Sequence, residues 1–173
     1  MLKKFAVLIV VGMFSINFCF SQNAIQTTKE FSIEGLIEKN VSINFDSLKL
    51  YPTQTIDSFV ITNHLGVRKS TLKNLKVVAL KSILNNISIK VESPKILSEF
   101  YFVFVGSDGY KVVYSWNEIF NTEVGKSVFI VIEHDGKNMN VSDDSILTIC
   151  KTDAATGRRH VKSLSKILIK RAE

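Results

Sequence analysis

Cysteine and proline are nearly missing from this chain, with two of each among 173 residues. Cys19 falls inside an N-terminal apolar run, which leaves Cys150 without a partner. An intramolecular disulfide framework and a cysteine-built metal cage are therefore excluded for the body of the protein. The sequence also lacks an internal repeat, a low-complexity tract, a Pro/Gly-rich linker and any dense basic arm. The net charge of +6 is spread along the chain, a pattern that does not suit a nucleic-acid partner. Beyond the N-terminus no run is long and apolar enough to span a bilayer as a helix.

What is present begins with an export signal. Lys3 and Lys4 precede the apolar stretch 5–14 (FAVLIVVGMF), and Ser21 offers a small residue for cleavage before Gln22. Residues 1–21 are expected to be a signal peptide and residues 22–173 one domain, periplasmic or secreted, with no membrane partner after cleavage. A chain of that size can bury a substantial core without covalent staples.

The periodicity of the remainder is mostly that of short strands. Residues 31–37 (FSIEGLI), 41–45 (VSINF) and 56–62 (IDSFVIT) alternate apolar and polar. A short turn over 46–50 precedes Pro52. Val77, Leu80, Leu84 and Ile87, with Ile83 beside them, have the spacing of an amphipathic helix over 77–87. Residues 100–105 (FYFVFV) and 110–114 (YKVVY) flank GSDG, a hairpin whose Asp108-Gly109 pair supplies positive φ. Ser115 to Glu118 (SWNE) has capping-box spacing and should open a short helix through Phe120. Strands at 127–133 (SVFIVIE), 146–151 (ILTICK) and 166–170 complete the chain. The expected fold is α+β, a single β-rich domain with a mixed sheet and two or three short helices.

Chemical motifs are sparse. Gly125-Lys126-Ser127 has the ending of a phosphate-binding loop, but Phe120 stands where the upstream Gly is required and a strand follows. Glu133, His134 and Asp135, with Asp143 and Asp144, are dense in carboxylate, yet they bracket a DGK turn where Asp stabilises turn geometry. His64 has no spaced partner, and no GxSxG elbow exists to place a nucleophilic serine. Cys150 closes an apolar strand and reads as an inert, buried thiol. No catalytic residue and no metal ligand is assigned. The basic cluster Gly157-Arg158-Arg159-His160-Val161-Lys162 remains, in which Arg159 and Lys162 are the first candidates for an anionic ligand and Arg158 and His160 the next.

The ordered set of segments resembles the sulfite-oxidase-type molybdopterin-binding domains. FSIEGLIEKNVSINFDSLKLYP is similar to their opening strands, and the 77–87 segment sits where they place a short helix. VGSDGYKVVYSWNEIF matches their GxDGYxxxxSxxE hairpin, VFIVIEHDGKNMNVSDDSILTIC their strand–DGKxL–strand segment, and GRRHVKSLSKILI their terminal GARxVKWLxxIxV. The resemblance implies a fold of that type and a molybdopterin cofactor in active members. It places Arg159 and Lys162 on the Arg and Lys of the terminal motif, which helps hold the anionic pterin. Arg158 replaces a small residue and Ser163 a Trp. Active members also ligate molybdenum through a Cys in a loop that corresponds to residues 61–70 (ITNHLGVRKS), where this chain has none. The expectation is an exported, oxidoreductase-like domain without molybdenum redox catalysis that keeps a pocket for an anionic small molecule. Its alternative is a non-enzymatic module on the same scaffold that binds an exported protein partner.

Overall fold

A computed structural model describes residues 25–139 and 145–173. The expected signal peptide, and Asp143 and Asp144, lie outside the described residues.

The described residues form two five-stranded sheets. The first has the order β2 (Val41–Asn44), β1 (Glu30–Gly35), β10 (Leu164–Arg171), β5 (Phe100–Gly106), β6 (Lys111–Ser115). Its β1–β10 pair is parallel and its other pairs antiparallel, which makes the sheet mixed. The second runs β3 (Thr53–Thr62), β4 (Arg68–Ala79), β7 (Val128–His134), and both β8 (Lys137–Asn138) and β9 (Leu147–Cys150) pair with β7. Apolar residues of both sheets form one core, with Phe31, Ile33, Phe102, Phe104 and Ile167 from the first and Leu75, Val77, Ile130 and Ile149 from the second. The uninterrupted apolar run of β7 follows from that placement, because the strand lies between β4 and β9 and almost all its residues are buried.

Local signals act where the sequence places them. The β5–β6 hairpin turns through Gly109 at φ 83°, and Asp108 Oδ1 accepts from Tyr110 N at 2.9 Å. Ser115 and Glu118 close a complete capping box on α3 (Trp116–Asn121), with Ser115 N donating to Glu118 Oε2 at 2.8 Å and Glu118 N donating to Ser115 Oγ at 3.1 Å. The turn expected after residue 45 is the one-turn α1 (Phe45–Leu48), capped by Asn44.

The helix expected over 77–87 is different. Strand β4 continues through Ala79, and only Leu80–Leu84 form a helix, α2. Val77 and Val78 are ladder residues opposite Val131 and Ile130. A register shift between Lys76 and Val77, close to Asn74 at φ 51°, breaks strict alternation. The bulge makes buried strand residues and the following helical turn mimic one helical period.

The segment leading into β10 ties the sheets together. Thr148 N donates to Val161 O and Leu164 N to Ile146 O, each at 2.9 Å, so residues 161–164 pass along β9 before entering the first sheet. This fixes the basic cluster at the seam.

Candidate functional site

The cluster begins in a 3-10 turn, η3 (Thr156–Arg159), packed on the end of β3. Thr156 Oγ1 donates to Val60 O at 2.7 Å and accepts from Thr62 N at 3.0 Å. Next to it the backbone of Gly157 meets that of Thr62 so closely that a Cβ on Gly157 would lie 1.9 Å from Thr62 O. The glycine is there for close approach, with no need of positive φ.

From this turn the four candidate side chains go to different places. Arg158 is exposed and its Nη2 donates to His64 O at 3.3 Å, while its own carbonyl accepts from Tyr110 Oη at 2.6 Å. Arg159 turns inward. Its Nε donates to Asp153 Oδ2 at 2.8 Å and its Nη2 to Asp153 Oδ1, so the two side chains form a two-pronged ion pair. Nη1 donates to Glu118 Oε1 at 3.0 Å, Nη2 to Cys150 Sγ at 3.7 Å, and the guanidinium lies 4.5 Å from the centre of the Tyr114 ring. Hydrogen bonding to Asp153 holds its pKa above the usual arginine value, so its charge is permanent.

His160 and Lys162 instead line a shallow concavity of about 260 Å³ with Ile25, Asp108, Tyr110 and Gly157. A larger depression of about 530 Å³ lies elsewhere, along Gly35, Leu36, Tyr101, Ile169, Lys170 and Arg171, away from the basic cluster. Arg159 lines neither of these two depressions.

Cys150 sits under Arg159 in the fully buried strand β9. Burial pushes its thiol pKa up, and hydrogen bonding with Thr152 offsets only part of that. Arg159 does not turn it into a thiolate, because burial dominates and Asp153, paired with the arginine, itself raises the thiol. The phenol of Tyr114 is buried, has no hydrogen-bond partner among protein atoms, and has its pKa raised by burial. Among the described residues no three His, Cys, Asp or Glu side chains gather to hold a metal ion. At the DGK turn His134 Nδ1 meets Asp135 Oδ2 at 2.8 Å and Asp135 Oδ1 accepts from Lys73 N at 3.2 Å, contacts that organise the turn.

The fold has a solved counterpart. It is similar to the sulfane dehydrogenase SoxCD from Paracoccus pantotrophus, with a TM-score of 0.59 and 14% identity over 84% of this chain. The chain spans 40% of the length of that protein. No protein-family model matches the sequence, and no curated protein does. The likeness shows a shared fold and extends to the fold alone.

Residue type marks Arg159 but not its surroundings. Glu118 was visible as a helix cap, yet its second oxygen serves the arginine. Asp153, Tyr114 and Tyr110 carry no local signal that assigns them to this region.

Proposed function

We propose that this chain is an exported domain that keeps the scaffold of the molybdopterin-binding oxidoreductases without molybdenum redox catalysis, and that it binds a small anion beside His160 and Lys162. One observation carries this reading. Arg159, the residue that the terminal motif would turn toward a pterin phosphate, is held by Asp153 and Glu118. An anion placed there would face two carboxylates against one guanidinium. The residues present do not fit the cofactor in other respects. The thiol of Cys150 is buried and kept protonated, and residues 61–70 hold no cysteine. The His160–Lys162 concavity is smaller than the roughly 300–1,000 Å³ of sites that enclose drug-sized ligands.

That concavity suits a smaller guest. Lys162 brings a point charge and His160 an imidazole to the same rim, where the one carboxylate, Asp108, accepts from Tyr110 N. Protein purified from its native compartment should contain neither molybdenum by elemental analysis nor pterin by fluorescence. It should bind inorganic phosphate or sulfate by calorimetry, weakened at least tenfold in Lys162→Ala. Molybdenum or pterin in stoichiometric amount would overturn the loss of redox chemistry. Anion binding that Lys162→Ala leaves unchanged would overturn the site.

A further inference from the structure

The β3–β4 ribbon extends beyond the sheet that carries it. Strand β4 pairs with β7 only from Lys76 to Ala79, whereas its ladder with β3 continues to Arg68 opposite Thr62. The turn that closes the ribbon is well organised. Asn63 Oδ1 accepts from Leu65 N and Val67 N, both at 2.9 Å, Asn63 N donates to Val67 O at 2.8 Å, and Gly66 adopts φ 80°. A Cβ built on Gly66 would meet nothing within 4 Å, so the turn is open there.

On this ordered tip Leu65 is 74% exposed and Val67 58%. Arg68 and Lys69 are exposed directly behind them. Arg158 reaches the tip through His64 O and adds a third fixed positive charge, while Tyr110, itself exposed, is joined to Arg158. The neighbouring acid, Asp108, is folded back onto its own turn. Exposed apolar side chains on an ordered turn with cations beside them match the interface of a negatively charged bilayer. An exposed turn needs no complementary pocket in a fluid lipid surface, whereas a protein partner would have to supply one.

We propose that this tip docks on an anionic lipid surface, with Leu65 and Val67 entering the boundary between headgroups and acyl chains and Arg68, Lys69 and Arg158 facing lipid phosphates. This reverses the expectation of no membrane partner and does not depend on the anion site at His160 and Lys162.

Vesicle co-sedimentation of the full chain tests it, using phosphatidylcholine vesicles with and without phosphatidylglycerol. Binding should require the anionic lipid. It should fall about fivefold for each of Arg68→Ala and Lys69→Ala, as expected for roughly 1 kcal/mol per basic residue near a membrane. The pair Leu65→Asp and Val67→Asp should lower it further, by about tenfold or more. Leu50→Asp, which alters a leucine 86% exposed at the opposite end of β3, should have no effect. All these positions are exposed, so unchanged circular dichroism should accompany the losses. Absence of binding overturns the proposal. So does binding to neutral vesicles that the tip variants leave unchanged, which would locate attachment in the apolar N-terminal run. If vesicles are ignored and the tip variants abolish binding to an acidic protein of the same compartment, the surface belongs to a protein and the lipid proposal fails.

Discussion

Replacing Arg159 by alanine separates a structural arginine from a ligand-binding one. The side chain is 22% exposed and its partner Asp153 is 11% exposed. Removing the guanidinium leaves the Asp153 carboxylate without its counterion in a largely dry site. Breaking a buried ion pair from one side costs about 3–5 kcal/mol, and residual exposure of the arginine favours the lower end. A loss of about 3 kcal/mol is a large part of the 5–15 kcal/mol that stabilises a typical domain. With a urea slope near 2 kcal/mol/M it should move the denaturation midpoint by roughly 1.5 M.

The companion variants make the number interpretable. Asp153→Ala should cost a comparable amount, and the double variant clearly less than the sum, because the remaining charge is removed along with its partner. Glu118→Gln should cost under about 1 kcal/mol, since Glu118 is 38% exposed and glutamine can still complete the capping box. Calorimetry with phosphate supplies the second axis, on which Arg159→Ala should leave binding unchanged. A loss of stability below about 1 kcal/mol, combined with loss of anion binding, would refute the reasoning and return Arg159 to the ligand.

Three further outcomes follow from neighbouring contacts. Gly157→Ala places a Cβ against Thr62 O and should force η3 off β3, costing about 2 kcal/mol or more by thermal denaturation; a neutral result would show that the turn moves freely. Tyr114→Phe removes a buried hydroxyl without a protein partner while keeping the ring under Arg159, so stability should hold or rise by about 1 kcal/mol, and a loss larger than that would contradict this reading. Burial raises the pKa of both Cys150 and Tyr114, so at high pH the unfolded chain releases these protons first and unfolding is favoured as pH rises. Stability should be level from neutral pH to about pH 8.5 and decline above it, more steeply past about pH 10, with the first limb absent in Cys150→Ala.

The parts of the fold that were legible in the sequence are those made by contacts close in the chain. The GSDG hairpin and the SWNE cap depend on residues two or three apart, and both stand as read. The helix expected over 77–87 failed because its apolar period came from a bulge followed by a helical turn. Seeing that requires the pairing of Val77 with Val131, 54 residues away. The direction of Arg159 was illegible for a similar reason. Its partners come from α3 and from the loop after β9, and Glu118 lies 41 residues upstream. Sequence identifies a guanidinium but not the carboxylate that will take its charge.

That distinction bears on what a family motif conveys when the chemistry around it changes. In GRRHVK the arginine that corresponds to the motif position is the one withdrawn from solvent, and the extra arginine before it reaches the surface. Each has a defined carbonyl or carboxylate partner, so neither is an idle remnant. The inward pair fastens β9 to α3 across Tyr114 and Cys150, and the outward one fastens the same turn to the β3–β4 tip. Residues that match a motif can be held in place by bonds the fold itself needs. Motif retention then carries no information about cofactor binding until the counterions are known. Here the counterions of Arg159 are protein carboxylates, and a ligand would have to displace them to reach its charge.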